Sequence, residues 1–153
     1  MKFRRARSGD IPALVRLWRE MWEFHASLDP RYQATPLADR VMAAWMGDHL
    51  RSERACIVVA EERGLVGYVS GMILENPPIL PWQFFGFISE ISVSESCRRV
   101  GVGAGLVREM HDWFRSKRVP YVEVNVSAKN PGSRAFWRKH GYSDFLERLR
   151  TEL

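Results

Sequence analysis

The sequence predicts an α/β (α+β) fold, with a mixed, mostly antiparallel central sheet of six to seven strands flanked by about four helices. Apolar residues recur at helical spacing in four segments, and apolar or alternating strand-like runs stand between them. The resulting order, β-α-α-β-β-β-α-β-α-β, favours a sheet covered by helices on both faces. A chain of 153 residues is long enough for a core of its own. We therefore expect residues 1–153 to form a single domain.

The first half of the chain predicts one strand, two helices and a strand hairpin. Helical spacing of apolar residues, clusters of β-branched residues and turn-forming pairs mark these elements. In order they are strand 3–6, a helix from residue 11 to the Asp29-Pro30 break, helix 37–50, and strands 55–60 and 65–74 around a turn at Arg63-Gly64.

The second half predicts strands that alternate with helices. Prolines interrupt the chain after the hairpin, and Gly141 suits the residue that follows a helix C-terminus. In order the elements are strand 82–93, helix 100–114, strand 121–127, helix 130–139 and a last strand at 142–150.

The bulk composition excludes several classes of protein. The net charge of +5 suits an anionic ligand, but the basic residues form no stripe on one helix face, so we expect no nucleic-acid partner. Cys56 and Cys97 have no zinc-ligand spacing and form no disulfide framework, so we expect no metal. No signal peptide and no apolar segment approaching ~20 residues is present. These features predict a cytoplasmic protein with no membrane partner.

A glycine-rich turn between a strand and a helix is the most informative segment. A strand ends near Val93, a polar turn follows, and an amphipathic helix begins among Gly101, Gly103 and Gly105. Glycine lets a ligand approach the backbone, and the first N–H groups of a helix have no internal partner. Together with Arg98 and the helix dipole they form an anion site that suits a pyrophosphate.

Two other phosphate motifs and a ligand-free turn are the alternatives. A P-loop needs Gly-Lys-Ser/Thr, and Leu106 follows the glycines here. The spacing G-x-G-x-G also departs from the dinucleotide motif G-x-G-x-x-G. Glu123 lies at a suitable distance downstream for an acidic residue that binds the ribose, but too few residues follow the glycines for a doubly wound sheet. A glycine-rich helix start without a ligand is disfavoured, because each glycine costs roughly 1 kcal/mol in helix propensity.

Two segments resemble motifs of the GNAT N-acetyltransferase superfamily. Arg98-x-x-Gly101-x-Gly103 resembles its pyrophosphate motif, Q/R-x-x-G-x-G/A. The segment 130–142 is similar to N-x-x-A-x-x-F-Y-x-x-x-G-F, with matching spacing from Asn130 through Phe136 to Gly141. The preceding strand, the first two helices and the hairpin also match, so the resemblance covers nearly the whole chain.

The resemblance implies a co-substrate, acetyl-CoA, and the residues that bind it. The strand before the glycine turn and the strand after the following helix would diverge, and the pantetheine arm would lie between them. The expected cofactor-binding residues are Ile91, Ser92 and Val93 on the strand, Arg98, Arg99, Val100, Gly101, Val102, Gly103, Ala104 and Gly105 at the pyrophosphate, and Asn130, Ser133 and Phe136 along the arm. Asn130 also suits the cap of the helix that begins at Pro131.

The implied reaction is direct attack of a primary amine on a thioester, for which a base is useful. Glu90 is the candidate, because it lies within an otherwise apolar strand where partial desolvation raises a carboxyl pKa. The alternative is a solvated Glu90 facing away from the site. Trp137 stands where the family often has a tyrosine acid, and neither Tyr142 nor Tyr121 matches that position. A non-catalytic acyl-CoA sensor is therefore the alternative function.

The acceptor site is expected on the first two helices and the segment before the glycine strand. The candidate substrate-binding residues are Trp22, His25, Tyr32 and Trp82, which would enclose an amine of a small molecule, protein or peptide. Tryptophans at helical spacing equally suit the core. The apolar run 79–85 predicts either a cover over this site or a homodimer contact.

Overall fold

The computed structural model describes all residues from 1 to 153 and confirms the predicted α/β architecture. The chain forms five strands and four α-helices, with short 3₁₀ turns between some of them. In chain order the elements are β1 (Lys2–Arg5), α1 (Ile11–Leu28), α2 (Ala38–Arg51), β2 (Ala55–Glu61), β3 (Leu65–Glu75), β4 (Phe84–Val93), α3 (Val102–Ser116), β5 (Val122–Val124) and α4 (Pro131–Lys139).

A single sheet connects all five strands in the order β1-β2-β3-β4-β5. Every pair is antiparallel except β4 and β5, which are parallel and joined through α3. The predicted hairpin is confirmed as β2 and β3. The register of β3 against β4 shifts at Ser70 and Gly71, where Ser70 pairs with Glu90 but Gly71 pairs with Ile88.

Helices cover both faces of the sheet, as the element order predicts. On one face α1 and α2 pack on alternate residues of the central strands, including Ile57, Val59 and Tyr68. On the other face α3 packs on Val58, Val69 and other side chains of opposite parity. Because both faces are covered, β2 is buried along almost its whole length and reads as a continuous apolar run rather than an alternating one.

The prediction of six to seven strands is wrong at the carboxyl-terminal end. The segment 142–150 forms no strand, and Phe145, Leu146 and Leu149 are exposed. Their spacing lacks the strict alternation that would place them on one face of a sixth strand. The predicted strand 121–127 is also shorter, because β5 pairs with β4 at only three positions. No helix is both long and apolar enough to cross a membrane.

Gly105 allows the first strand to pack directly on α3. A Cβ atom at this position would lie only 2.2 Å from the Cζ atom of Phe3, far inside van der Waals contact. Phe3 in turn packs against the buried cluster under α3. The third glycine of the turn is therefore explained by packing between β1 and α3.

We predict that Gly105→Ala lowers the free energy of unfolding by about 1–3 kcal/mol, because overpacking displaces Phe3. Helix propensity alone would favour alanine by about 1 kcal/mol, so the two effects have opposite signs. Urea denaturation measures the difference. Gly64→Ala is the control, because nothing lies within 4 Å of its added Cβ. A more stable Gly105→Ala protein would contradict the packing role.

Candidate active site

A β-bulge in β4 turns Glu90 toward α1. Ile88 packs on the α3 face of the sheet, and regular alternation would place Glu90 on that same face. Ser89 is the extra residue of the bulge, since Ile88 and Glu90 pair with consecutive residues of β3. Ser89 also donates a hydrogen bond from its hydroxyl to the carbonyl oxygen of Ser70 at 3.1 Å. The extra residue reverses the alternation, so Glu90 shares the α1 face with Ser92.

The Glu90 carboxylate lies in a partly buried polar group between α1 and the sheet. The Tyr68 hydroxyl donates a hydrogen bond to Oε2 at 2.8 Å. The indole N–H of Trp18 also faces this carboxylate but makes no hydrogen bond of ordinary geometry. Burial raises the pKa of Glu90 to about 6, against the opposing effects of Tyr68 and Trp18. Glu90 is therefore mostly ionised at pH 7, and its pKa lies close enough to that pH for the carboxylate to accept and release a proton.

Beyond the bulge, β4 has no strand on its outer side. The paired positions of β4 and β5 end at Ile88 and Val124, which leaves the rest of β4 open. The Ser94 N–H donates to Val66 on β3, so by alternation the peptide groups of Ile91 and Val93 point away from β3 and into the gap. This open edge leaves the N–H and carbonyl of Ile91 and the N–H of Val93 free for an extended ligand, while the Val93 carbonyl accepts a hydrogen bond from Arg98.

The turn after β4 presents a run of free backbone N–H groups. From Arg99 through Ala104 none of these groups donates a hydrogen bond within the chain, and the first internal helical bond runs from Gly105 to Gly101. Arg99 and Gly101 adopt left-handed conformations, with φ of 64° and 88°. Alternating conformations of this kind turn successive N–H groups toward one concave site for an anion. The geometry fits the pyrophosphate site predicted from the sequence.

The other predicted cofactor residues around this turn have different local roles. The guanidinium of Arg98 donates to the Val93 carbonyl at 3.0 Å and lies 3.8 Å from Glu20 on α1. Arg98 therefore joins β4, the turn and α1. Gly103 leaves room for Phe136, whose ring would lie 3.1 Å from an added Cβ. Val100 and Ala104 are exposed beside the free N–H groups, whereas Val102 is buried.

The start of α4 lies beside the same turn. Asn130 caps α4 by accepting a hydrogen bond from the Ser133 N–H at 3.0 Å, as the sequence predicts. Phe136 packs on Gly103 and on the core under α3. Phe136 thus lies beside the turn, and Asn130 and Ser133 lie in the first turn of the same helix. Their predicted contacts with a pantetheine arm stay predictions.

Trp137 is a core residue rather than a group facing the gap. Its exposed fraction is 3%, and its ring packs edge-on against Phe136 and Tyr142. The Tyr142 hydroxyl is paired with His111 at 2.7 Å, and that of Tyr121 with Asn76 at 2.7 Å. The difference from the family tyrosine at this position is therefore explained by packing.

Three of the four predicted substrate-binding residues lie together at the end of α1. The rings of Trp22 and Tyr32, and of His25 and Tyr32, are each 5.6 Å apart, and Trp22 stacks on Trp18 at 5.5 Å. The Trp22 Nε1 and His25 Nδ1 atoms are buried without a hydrogen-bond partner. Burial lowers the pKa of His25, so its imidazole is neutral at pH 7.

Trp82 is separated from this aromatic group. It precedes β4, whose first residue, Phe84, lies about 20 Å along the strand from Glu90. Trp82 lines a cavity of about 680 Å³ with His111, Phe114, Tyr121 and Phe145. This loop lies apart from the aromatic group at the end of α1, and its roles as a cover over the acceptor site and in substrate binding stay predictions. Ile79, Leu80 and Trp82 are exposed, and their role in a homodimer stays a prediction.

Sequence reasoning missed several residues that organise the site. Tyr68 and Trp18 stand in patterns that indicate only a core, and no sequence signal marks the bulge at Ser89. An ion pair also joins the end of α1 to the loop before α4, with Lys129 Nζ 3.6 Å from Asp29 Oδ2. Arg31 binds the same buried carboxylate and holds the pKa of Asp29 well below its usual range.

Comparisons with known proteins agree with this arrangement. The model of the acetyltransferase (GNAT) family matches residues 12–142. The chain is 33% identical over 84 residues to the L-2,4-diaminobutyric acid acetyltransferase of Shouchella clausii, a match covering 55% of this chain and 44% of that enzyme. The matched region spans about half the length of the curated relatives.

Two solved structures show the same fold at low sequence identity. A mutant of the BH1408 protein from Bacillus halodurans has a TM-score of 0.90 and 18% identity, covering 100% of this chain and 99% of that one. An aminoglycoside 6'-N-acetyltransferase from Acinetobacter haemolyticus has a TM-score of 0.79 and 16% identity, covering 100% and 98%. Since the family model spans most of the sequence, the chain belongs to the GNAT family of acetyltransferases.

Proposed function

We propose that this chain transfers an acetyl group from acetyl-CoA to the primary amine of a small molecule, with Glu90 as general base. The observation that carries the proposal is the position of Glu90. It lies at the bulge where the gap beside β4 begins, on the same strand that leads into the free N–H groups of residues 99–104. An anion site and a proton acceptor are thus joined by one open strand edge.

The backbone provides the binding site for the cofactor. The N–H groups of residues 99–104 would hold the pyrophosphate, and the peptide groups of Ile91 with the N–H of Val93 would bind the amides of the arm. Bound acetyl-CoA supplies an activated thioester carbonyl. Because this arrangement uses main-chain groups in a fixed turn, little reorganisation is needed on binding.

Glu90 would accept the proton of the attacking amine. Its pKa of about 6 leaves the carboxylate mostly ionised at pH 7, while keeping it more basic than an exposed glutamate. A general base is most effective when its pKa lies near the working pH. As the pH falls through about 6, Glu90 becomes protonated and can no longer accept a proton.

We predict that Gly101→Val weakens acetyl-CoA binding at least about tenfold, a loss of ~1.4 kcal/mol. Valine is strained at a φ of 88°, so the turn must change and its N–H groups must move apart. Isothermal titration with acetyl-CoA and with CoA measures the effect. Gly64→Val is the matched control, since that glycine also faces open space but has no positive φ. Equal affinity in both variants would reject the turn as the pyrophosphate site.

We predict that Glu90→Gln lowers kcat by about 10²–10⁴-fold, the usual contribution of a general base, while the Kd for acetyl-CoA is unchanged. Glutamine keeps the shape of the side chain but cannot accept the proton. In the unsubstituted enzyme kcat/KM should fall below pH about 6, because Glu90 is then protonated. Thiol release followed from pH 5 to 9 tests both expectations. Unchanged turnover in the variant would remove Glu90 from the mechanism.

The aromatic group on α1 supports an acceptor that also carries a hydrogen-bond-accepting oxygen. Buried polar nitrogens without partners are uncommon, and the nitrogens Trp22 Nε1 and His25 Nδ1 both lie in this group. A hydroxyl or carboxylate of a small amine would satisfy the indole N–H. The Shouchella clausii relative is named for L-2,4-diaminobutyric acid, which joins an amine to a carboxylate.

We predict that L-2,4-diaminobutyrate is acetylated with a lower KM than 1,3-diaminopropane, which is the same diamine without the carboxylate. The difference should shrink in Trp22→Phe, because phenylalanine keeps a ring but has no N–H donor. Initial rates with each diamine provide the measurement. Preference for 1,3-diaminopropane, or for a peptide amine over both, would contradict this choice of acceptor and leave the CoA site untouched.

A further inference from the structure

We infer that Tyr68 is a positioning residue for Glu90: its hydroxyl fixes one carboxylate oxygen and leaves the other to receive the proton of the acceptor. The inference rests on the proposed role of Glu90 as the base. Tyr68 itself need not touch substrate or cofactor, and it acts only through the carboxylate.

The contact is built into the fold rather than made by chance at a surface. Tyr68 is fully buried in β3, among the side chains between the sheet and α1. Its hydroxyl makes one hydrogen bond, 2.8 Å long, to Glu90 Oε2. Ser92, the register partner of Tyr68, is anchored by its own hydroxyl to the Leu17 carbonyl on α1 at 2.8 Å. Both ends of the Tyr68–Glu90 contact are therefore held by neighbouring strands and the helix above them.

A buried phenol needs a hydrogen-bond partner, and this one has a carboxylate. The bulge at Ser89 is what brings Glu90 to the α1 face, where Tyr68 lies. Without the bulge, the alternation of β4 would point the carboxylate into the apolar core under α3. Both residues thus act on the Glu90 side chain. Ser89 sets the face of the sheet to which it points, and Tyr68 binds its carboxylate.

The groups around Glu90 leave Tyr68 as its main polar partner. From α1, the Trp18 N–H faces the carboxylate; from β3, Ser70 is fully buried and its hydroxyl has no partner. Glu20 on α1 is occupied by the Glu95 N–H at 2.8 Å and by Arg98. No charged side chain contributes to the pKa of Glu90, which is set by burial, Tyr68 and Trp18.

The sign of the effect follows from which form of Glu90 the hydrogen bond favours. The phenol donates to the ionised carboxylate, so it lowers the pKa of Glu90 against the larger raising effect of burial. Burial and Glu90 together raise the pKa of Tyr68 well above its usual value, so the phenol remains a donor throughout the working range. Removal of the hydroxyl should raise the pKa of Glu90 above about 6.

The test is the pH profile of Tyr68→Phe with acetyl-CoA and L-2,4-diaminobutyrate. We expect the acid limb of kcat/KM to move up by about one pH unit, the usual effect of one hydrogen bond to a charged group. The fold-loss of kcat/KM should therefore grow as the pH falls toward 5 and vanish toward pH 9, and the KM for acetyl-CoA should not change. Trp18→Phe should move the limb in the same direction by less, since its N–H makes no complete hydrogen bond.

Val69→Ala is the control for a merely structural effect. Val69 neighbours Tyr68 on β3 but packs on the opposite face, so its truncation loosens the strand without touching the carboxylate. The acid limb of kcat/KM in Val69→Ala should coincide with that of the unsubstituted enzyme. An unmoved limb in Tyr68→Phe, or an equal shift in Val69→Ala, would overturn the inference.

A readout without turnover separates this inference from the proposed function. In protein carrying ¹³C-labelled glutamate, the side-chain carbonyl resonance of Glu90 is identified by its loss in Glu90→Gln, and is then titrated. A higher pKa in Tyr68→Phe together with the shifted acid limb supports the inference. A higher pKa of Glu90 with an unmoved acid limb overturns the inference by showing that Glu90 is not the base. An unchanged pKa of Glu90 overturns the role of the Tyr68–Glu90 hydrogen bond, while the proposed function stands.

Discussion

The extra residue in β4 is the constraint on which the site depends. Ser89 interrupts the register between β3 and β4, and two features begin at that point. Glu90 is turned to the α1 face, where Tyr68 and Trp18 lie beside its carboxylate. At the same point β5 stops pairing with β4. A regular strand would have buried the carboxylate in the apolar layer under α3. The bulge therefore converts an ordinary central strand into one that has a polar group and an open edge.

The pKa of Glu90 results from two opposing effects, the desolvation of its carboxylate and the hydrogen-bond donors that face it. Burial disfavours the ionised carboxylate, and the Tyr68 hydroxyl and Trp18 N–H favour it. Full burial without donors would leave a neutral acid, and full exposure would leave a weak base. The partly buried position between α1 and the sheet gives an intermediate pKa of about 6. The protein sets this value with neutral groups, so the ionised Glu90 carboxylate has no charged partner within the chain.

The parts of the fold that depend on local periodicity could be predicted from the sequence, and those that depend on strand pairing could not. The helices and the hairpin follow from spacing and turn chemistry, and the free N–H groups follow from the glycines at a strand–helix junction. Nothing in the residues 88–90 marks a bulge. Tyr68 likewise occupies a strand position typical of any core residue, and its hydrogen bond exists only because two strands are in one particular register.

The surroundings of two tryptophans also could not be predicted from the sequence. Trp137 aligns with a family tyrosine, yet a helix position facing the core favours a large apolar ring. Trp82 belongs to an apolar loop, but the distance along β4 places that loop at the far end of the strand from Glu90. In both cases the place of the side chain in the fold depends on tertiary packing, which the local sequence pattern does not determine.

The contact between Phe3 and Gly105 has a consequence for how the molecule is made. It joins the first strand to the helix whose N-terminus presents the free N–H groups, and about two-thirds of the sequence lies between the two contact residues. Contacts between residues far apart in sequence close large loops and form slowly. The anion site is consequently held in place only after the long loop between β1 and α3 has closed. Ligand binding thereby reports this long-range contact rather than the formation of any one local element.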